Sequence, residues 1–176
     1  MDSDATVIAL VEAAYAEVAR PEHFTNHLHC DECAEHDHTL LGGERGSLNL
    51  EHVGKPEWDP LSFCTPQGKA YYMPDLVRLA LADRAEYAPP YWRQLLTHLA
   101  GDGPRSALIA YCTPPQRQAV AAFLEHLIDT RPCEVEFHDS TDELLRVHGY
   151  WTDETSWVGR TDTRNASSDR GATHDT

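Results

Sequence analysis

The sequence predicts a mainly α-helical protein that folds as a single domain, and three observations support this prediction. Apolar residues recur at helical spacing in several segments, and helix-start signals precede many of those segments. The chain has 176 residues, of which 41% are hydrophobic, which suits one domain with a substantial core. We expect a bundle of about six to seven helices over residues 1–158, an irregular connector around 42–64, and a disordered tail over 159–176.

The first predicted helix lies near the N-terminus, in the segment "DATVIALVEAAYAEV". Asp4 is a plausible N-cap, and Pro21 lies beyond the expected end. The apolar residues at helical spacing are Val7, Ile8, Val11, Tyr15 and Val18.

The connector follows the histidine- and cysteine-rich segment and is marked by glycines and prolines in "LLGGERGS" and "LNLEHVGKPEWDP". After it, Thr65 and Pro66 resemble an N-cap followed by proline at the first helical position, which predicts a short helix through the tyrosine pair. Alternatively, "TPQG" closes a β-hairpin. Pro74 then predicts the start of a further helix.

Three more helices are predicted in the second half of the chain. The segment "PPYWRQLLTHLAG" has apolar residues on one face and stops at Gly101. Thr113 and Gln116 have capping-box spacing before a wide apolar stripe, and Ser140 and Glu143 repeat that spacing before the last helix. From about Gly159 the chain has no large apolar residue, which predicts disorder.

Charge and cysteine content restrict the classes of function. With 14 basic and 29 acidic residues, the chain is unsuited to binding a nucleic-acid backbone. No apolar run is long enough to span a membrane, and the N-terminus is acidic where a signal peptide would be basic, so we expect a cytoplasmic protein without membrane contact. Five cysteines in such a chain are expected to be thiols or metal-bound thiolates.

The segment "HFTNHLHCDECAEHDH" holds five of the eleven histidines and two of the five cysteines in sixteen residues. Cys30 and Cys33 have C-x2-C spacing and His36 follows, which are the ligand types that zinc prefers. If the segment is helical throughout, His29, Cys33 and His36 share one face. If the cysteines instead lie on the turn that starts the helix, both thiolates face one ion, with His36 or His29 completing the set.

Two other interpretations of this segment remain open. The cysteines could be half-buried small apolar residues on a solvated helix. They could also form a redox-active pair at a helix N-terminus, where the pKa of Cys30 would be lowered. Elsewhere, isolated histidines such as His98 are expected to have local partners, while His52 and Asp59 in the connector could be distant ligands.

The segments "HCDECAEHD", "TPQGKAYYMPDLVRLAL" and "TPPQRQAVAAFLEHL" together resemble a group of small bacterial proteins known as a domain of unknown function. In that group a Cys-x-x-Cys or acid-rich segment precedes a Tyr-Tyr-x-Pro helix start. The resemblance covers about residues 5–150 and implies a bacterial, cytoplasmic helical domain. It implies no activity and no catalytic residue.

The sequence leads to three hypotheses of function. The first is a non-enzymatic zinc-binding protein whose metal is held by residues from His29, Cys30, Cys33 and His36, and whose acidic surface contacts a protein partner. The second is a hydrolase-like metal enzyme in which Glu32 or Glu35 acts as general base beside an open zinc site. The third is an acidic inhibitor or immunity-like protein without metal.

Overall fold

The computed structural model describes residues 3–82 and 89–153, and the expected tail at 159–176 lies outside these ranges. The mainly α-helical class is confirmed. The helices are α1 (Asp4–Tyr15), α2 (Asp31–Leu41), α3 (Leu50–Val53), α4 (Pro66–Ala82), α5 (Tyr91–Ala100), α6 (Ala107–Tyr111), α7 (Pro114–Thr130), α8 (Pro132–Phe137) and α9 (Thr141–Thr152). Short 3-10 turns occur at Pro56–Trp58, Pro60–Ser62 and Gly103–Arg105.

The described ranges therefore hold more helices than the six to seven expected. The excess comes from α3, α6 and α8, which have four to six residues each. Helices this short do not complete enough turns to produce a periodic apolar pattern, so the sequence does not reveal them.

The core forms where five of the longer helices meet. Helix α4 packs against α1 and α5, and α7 packs against α1 and α9. The largest wholly buried side chains are Trp92, Trp151, Tyr15, Tyr72 and Phe24. Trp151 donates from its indole nitrogen to the carbonyl oxygen of Leu99 at 3.1 Å, which joins α9 to the end of α5.

Helix α4 is one continuous helix rather than the two short ones that the sequence suggested. Pro74 lies inside it, and no hairpin forms at "TPQG". Proline supplies no N–H to the carbonyl of Ala70 and normally ends or kinks a helix, so packing must stabilise this one. Pro74 is buried with its neighbours, and the Tyr72 hydroxyl donates to the carbonyls of Leu40 at 2.7 Å and Gly43 at 2.8 Å.

Arg45 fixes the first part of the connector. Its guanidinium donates to the carbonyl oxygens of Ala16 at 2.9 Å, Val18 at 2.7 Å and Tyr71 at 3.1 Å. The same group lies 4.5 Å from the centroid of the Tyr71 ring. Arg45 thus joins the end of α1 to α4 across a stretch of chain that has little regular structure of its own.

Two of the four predicted helix N-caps differ in detail. The Thr65 hydroxyl caps α4 as expected, accepting from the Gly68 backbone nitrogen at 3.1 Å. Gln116 closes the expected capping box by accepting a hydrogen bond from the Thr113 backbone at 2.9 Å. Ser140 makes no side-chain cap, because its hydroxyl donates to the carbonyl of His138 instead. The N-cap of α1 is Ser3, while Asp4 accepts from His126 Nε2 at 2.7 Å.

Within residues 3–82 and 89–153, none of the helices combines the length and the apolar character needed to cross a bilayer.

Candidate metal centre

A buried carboxylate positions the loop that leads into α2. Asp37 Oδ1 accepts from the backbone nitrogens of Phe24 at 2.6 Å and Thr25 at 2.9 Å, and Oδ2 accepts from His23 Nδ1 at 2.7 Å. Burial opposes ionisation, but these hydrogen bonds outweigh it and hold the pKa of Asp37 below its ordinary value. The loop is therefore folded back against the helix that follows it.

Thr25 and Phe24 complete this attachment. The Thr25 hydroxyl donates to the Cys33 carbonyl at 2.7 Å, and Thr25 forms an antiparallel bridge with Cys64. The Phe24 ring stacks on Tyr72 of α4, with ring centroids 4.9 Å apart. Residues 23–30 consequently have a defined position relative to the first turn of α2.

Cys30 is the N-cap of α2, and its backbone is extended, with φ −162° and ψ 168°. Its sulfur accepts a hydrogen bond from the Cys33 backbone nitrogen at 3.5 Å. The two sulfurs lie 3.3 Å apart, and Cys33 Sγ lies 3.7 Å from His29 Nδ1. One ligand atom from each of these three residues lies within 4.8 Å of the other two, so the group could hold a metal ion.

The surroundings of the two thiols differ. The hydrogen bonds that Cys30 receives from the Cys33 backbone, the Cys33 thiol and His29 lower its pKa. The pKa of Cys33 is raised, first by its hydrogen bond to Cys30 and then by burial. Cys30 and His29 are exposed, whereas Cys33 is buried. Cys30 is thus the more accessible and more easily ionised thiol of the pair.

The spacing of the donor atoms resembles that of a tetrahedral zinc site. Bonds of about 2.3 Å to sulfur and about 2.0 Å to nitrogen place two sulfurs about 3.8 Å apart and a sulfur and a nitrogen about 3.5 Å apart. The sulfur–nitrogen distance of 3.7 Å is close to this value, and the sulfur–sulfur distance of 3.3 Å is shorter. A small opening of the cysteine pair would admit the ion.

The structure does not bring His36 to this group, although the sequence made it a candidate ligand. His36 is wholly buried, with ring centroids 4.7 Å from Phe63 and 4.6 Å from Trp58. Neither ring nitrogen has a hydrogen-bond partner among the described residues, and Glu32 is 3.8 Å from Nε2. Of the two predicted arrangements, the structure has the one in which the cysteines lie at the helix start, with His29 beside them.

A second group of possible ligands adjoins the first and was missed by the sequence reasoning. His23, His27 and Asp37 also have ligand atoms within 4.8 Å of one another. The H-x3-H spacing in "HFTNH" was the available signal. The two imidazole rings stack with centroids 3.6 Å apart, and Asp37 already accepts three hydrogen bonds from His23, Phe24 and Thr25, so we interpret this group as a structural anchor.

No protein-family model, curated protein or solved structure matches the chain. The resemblance to a bacterial domain of unknown function therefore stays a prediction.

Proposed function

We propose that this protein binds a zinc-class divalent metal ion through His29, Cys30 and Cys33, and that the loaded site contacts a protein partner. The observation that carries the proposal is the convergence of two sulfurs and one imidazole nitrogen on one helix start. Thiolate and imidazole together select zinc over calcium and magnesium, which prefer oxygen ligands. Three protein ligands leave the fourth position for water or for a donor from the partner.

The position of the site favours binding over hydrolysis. Two of its three ligands are exposed, so the ion would lie at the surface rather than in a cleft that excludes water. Glu32 and Glu35, the candidate bases of the enzyme hypothesis, are exposed as well. A surface site of this kind suits a contact with another macromolecule.

The partner half of the proposal is supported by the surface around the metal ligands. Asp31, Glu32 and Glu35 are exposed on α2, and residues 1–60 carry 13 acidic and three basic side chains. Leu28, beside His29, is 84% exposed. An exposed apolar residue within an acidic surface suits a partner with a basic surface and an apolar pocket.

The metal is tested by titrating purified, untagged protein with Co²⁺, whose thiolate complexes absorb in the near ultraviolet. We expect about one ion per chain in wild type and loss of the thiolate band in Cys30→Ser and Cys33→Ser. His29→Gln should weaken binding, whereas His38→Gln and Cys133→Ser, which change exposed residues outside the site, should leave it unchanged. A wild-type protein without the thiolate band would refute the metal proposal.

The partner is tested by affinity capture from a lysate of the source cells, in the presence of Zn²⁺. A double variant, Asp31→Lys with Glu35→Lys, should recover less of any partner that wild type retains, because it reverses two exposed charges beside the site. Glu12→Lys with Glu17→Lys reverses two exposed charges elsewhere and is the matched control. Equal recovery by all three proteins would contradict the partner half of the proposal.

A second candidate function is thiol–disulfide exchange, and the sulfur–sulfur distance of 3.3 Å favours it specifically. The Cys30 thiolate would attack a disulfide of a partner, form a mixed disulfide and release one partner thiolate. The Cys33 thiolate would then attack the Cys30 sulfur, releasing the second partner thiolate and leaving a Cys30–Cys33 disulfide.

The two candidates differ in what protects the thiols. Under the metal proposal, Zn²⁺ slows alkylation of Cys30, and a chelator restores it. Under the exchange proposal, oxidised glutathione converts the pair to an intramolecular disulfide, and the chain loses two hydrogens in the mass spectrum. Rapid alkylation in the presence of Zn²⁺, combined with ready disulfide formation, would select exchange over metal binding.

A further inference from the structure

A cavity of about 640 Å³ lies away from the candidate metal ligands. It is formed where α5 meets α3 and the two 3-10 turns of the connector. This volume falls within the range of small-molecule sites, which is about 300–1,000 Å³. Its lining includes the polar side chains of Asp59, Arg93, Gln94 and His98 and the apolar side chains of Leu50 and Pro90.

A buried carboxylate orients the histidine of this cavity. Asp59 Oδ2 accepts from His98 Nε2 at 2.6 Å and from Gln94 Nε2 at 2.6 Å, and Oδ1 accepts from the Leu61 backbone at 2.9 Å. Burial opposes the charge on Asp59, but the bonds from His98, Gln94 and Leu61 prevail and lower its pKa. Gln94 is itself held by a second bond, to the Val53 carbonyl at 2.7 Å.

The bond to Asp59 determines which nitrogen of His98 is available. Because Nε2 carries the hydrogen given to the carboxylate, Nδ1 is the atom left for a ligand. The structure gives Nδ1 no hydrogen bond to a residue in the described ranges. When the imidazole is protonated, Asp59 balances its charge and Nδ1–H becomes a donor within the cavity.

A second cationic group lines the same cavity. The guanidinium of Arg93, one turn before Thr97 on α5, forms no ion pair or side-chain hydrogen bond with any residue of 3–82 or 89–153. Of the two acidic residues in the lining, Asp59 is bonded to His98 and Gln94, and Glu143 lies 3.8 Å from Arg146. The cavity thus combines a free guanidinium, an oriented imidazole and an apolar wall.

We propose that this cavity is a binding site for a small organic anion, whose carboxylate or phosphate group pairs with Arg93 and accepts a hydrogen bond from Nδ1–H of the imidazolium form of His98. A guanidinium binds either anion through two parallel N–H donors, so both belong to one recognition chemistry. The apolar body of the ligand contacts Leu50, Pro89 and Pro90. The site does not involve the metal ligands and stands whether or not a metal binds.

The test uses benzoate and phenyl phosphate as anionic probes and benzamide as their neutral counterpart. Binding is measured from amide chemical-shift changes in isotope-labelled protein. At least one of the two anions should bind at millimolar concentration and shift the amide resonances of α5. Benzamide should shift these resonances little. The comparison of the two anions identifies which head group the site prefers. Arg93→Gln should weaken binding by about tenfold or more, since it removes the charge-assisted pair.

Two further variants complete the test. Arg105→Gln makes the same charge change at an exposed arginine outside the cavity and should bind as wild type does. His98→Gln should also weaken binding of the anion. The amide spectrum of this variant shows whether it is folded. No shift with either anion, an equal response to benzamide, or unchanged affinity in Arg93→Gln would each overturn the proposal.

Discussion

Asp37 and Asp59 have almost the same bonding pattern, yet they do different things in the molecule. Each is buried, each accepts three hydrogen bonds, and each pairs with one histidine nitrogen. Asp37 takes its other two bonds from neighbouring backbone nitrogens and so shapes one loop. Asp59 takes bonds from two side chains of α5 and so joins the connector to a helix.

The difference shows that a buried aspartate–histidine pair does not define a function by itself. His23 is 39% exposed at its side chain and stacks on another histidine, so its contact with Asp37 secures the segment that holds the candidate metal ligands. His98 is 10% exposed and lines a cavity. The position of the histidine, on a loop or in the wall of a cavity, is what separates an anchor from a candidate ligand-binding group.

The largest effect is expected from Asp59→Asn, which leaves an amide facing the two donors Gln94 and His98. A broken buried, charge-assisted network costs about 2–4 kcal/mol, and urea unfolding should show a loss of that size. Asp102→Asn, at an exposed position in the turn after α5, is the matched control and should be near neutral. A loss no larger than that of the control would mean that Asp59 does not hold the connector to α5.

Asp37→Asn should have a smaller effect on global stability, of about 1–3 kcal/mol, because part of the loss stays local to the loop. It should also weaken Co²⁺ binding, since Phe24 and Thr25 no longer position the start of α2. Urea unfolding and cobalt titration measure the two effects separately. Unchanged cobalt affinity in a destabilised Asp37→Asn protein would show that the metal ligands are positioned without the loop.

The free energy of unfolding should depend on pH through both Asp37 and Asp59. Both have a pKa lowered from the ordinary value of 3.8, so their contributions to stability are complete above that pH and are lost as pH falls through the lower folded value. The difference in unfolding free energy between wild type and Asp59→Asn should therefore shrink below about pH 4. A difference that stays constant down to acidic pH would contradict ionised Asp59 as its source.

The smallest effect is expected from His23→Gln, because the ring is partly exposed and the glutamine amide can still donate toward Asp37. We expect a loss below about 1 kcal/mol, as for other partly exposed ion pairs. His98→Gln, measured in the same urea series, should cost more because the His98 side chain is only 10% exposed, against 39% for His23. Equal losses for the two variants would remove the distinction between anchor and cavity histidine.

The parts of the fold that could be predicted from sequence are those with local causes. Helices α1 and α7 were evident from apolar spacing, and the Gln116 cap from its position three residues after Thr113. Pro74 predicts a helix start that the structure does not have, because the tertiary packing that keeps α4 continuous has no local signal in the sequence. The same holds for the short helices, whose stability comes from the core they cover.

In the candidate metal centre too, the features with a local cause could be predicted from sequence, and those that depend on distant residues could not. The C-x2-C spacing located Cys30 and Cys33 because both ligands belong to one helical turn. His36 lies outside the group of candidate metal ligands because its ring packs against Trp58 and Phe63. These two residues come from the connector, more than twenty residues later in the chain. Asp59 and His98 are 39 residues apart in the sequence, so no short motif reveals their pairing. The sequence therefore indicates a possible ligand at Asp59 and a histidine with local partners at position 98.

The tilted contact of Trp58 with His36, with ring centroids 4.6 Å apart, places a tryptophan fluorophore beside α2. Trp58 is 45% exposed, whereas Trp92 and Trp151 are wholly buried, so an aqueous quencher reaches Trp58 before either of them. Its ring touches α2, which carries the metal ligands, and its chain neighbour is Asp59, which holds the cavity histidine. Substituting the fourth tryptophan, Trp157→Phe, leaves Trp58 as the tryptophan whose emission an aqueous quencher reduces first. That emission therefore reports on the junction between the two candidate sites. Metal and organic anion can both be titrated against this one fluorescence signal.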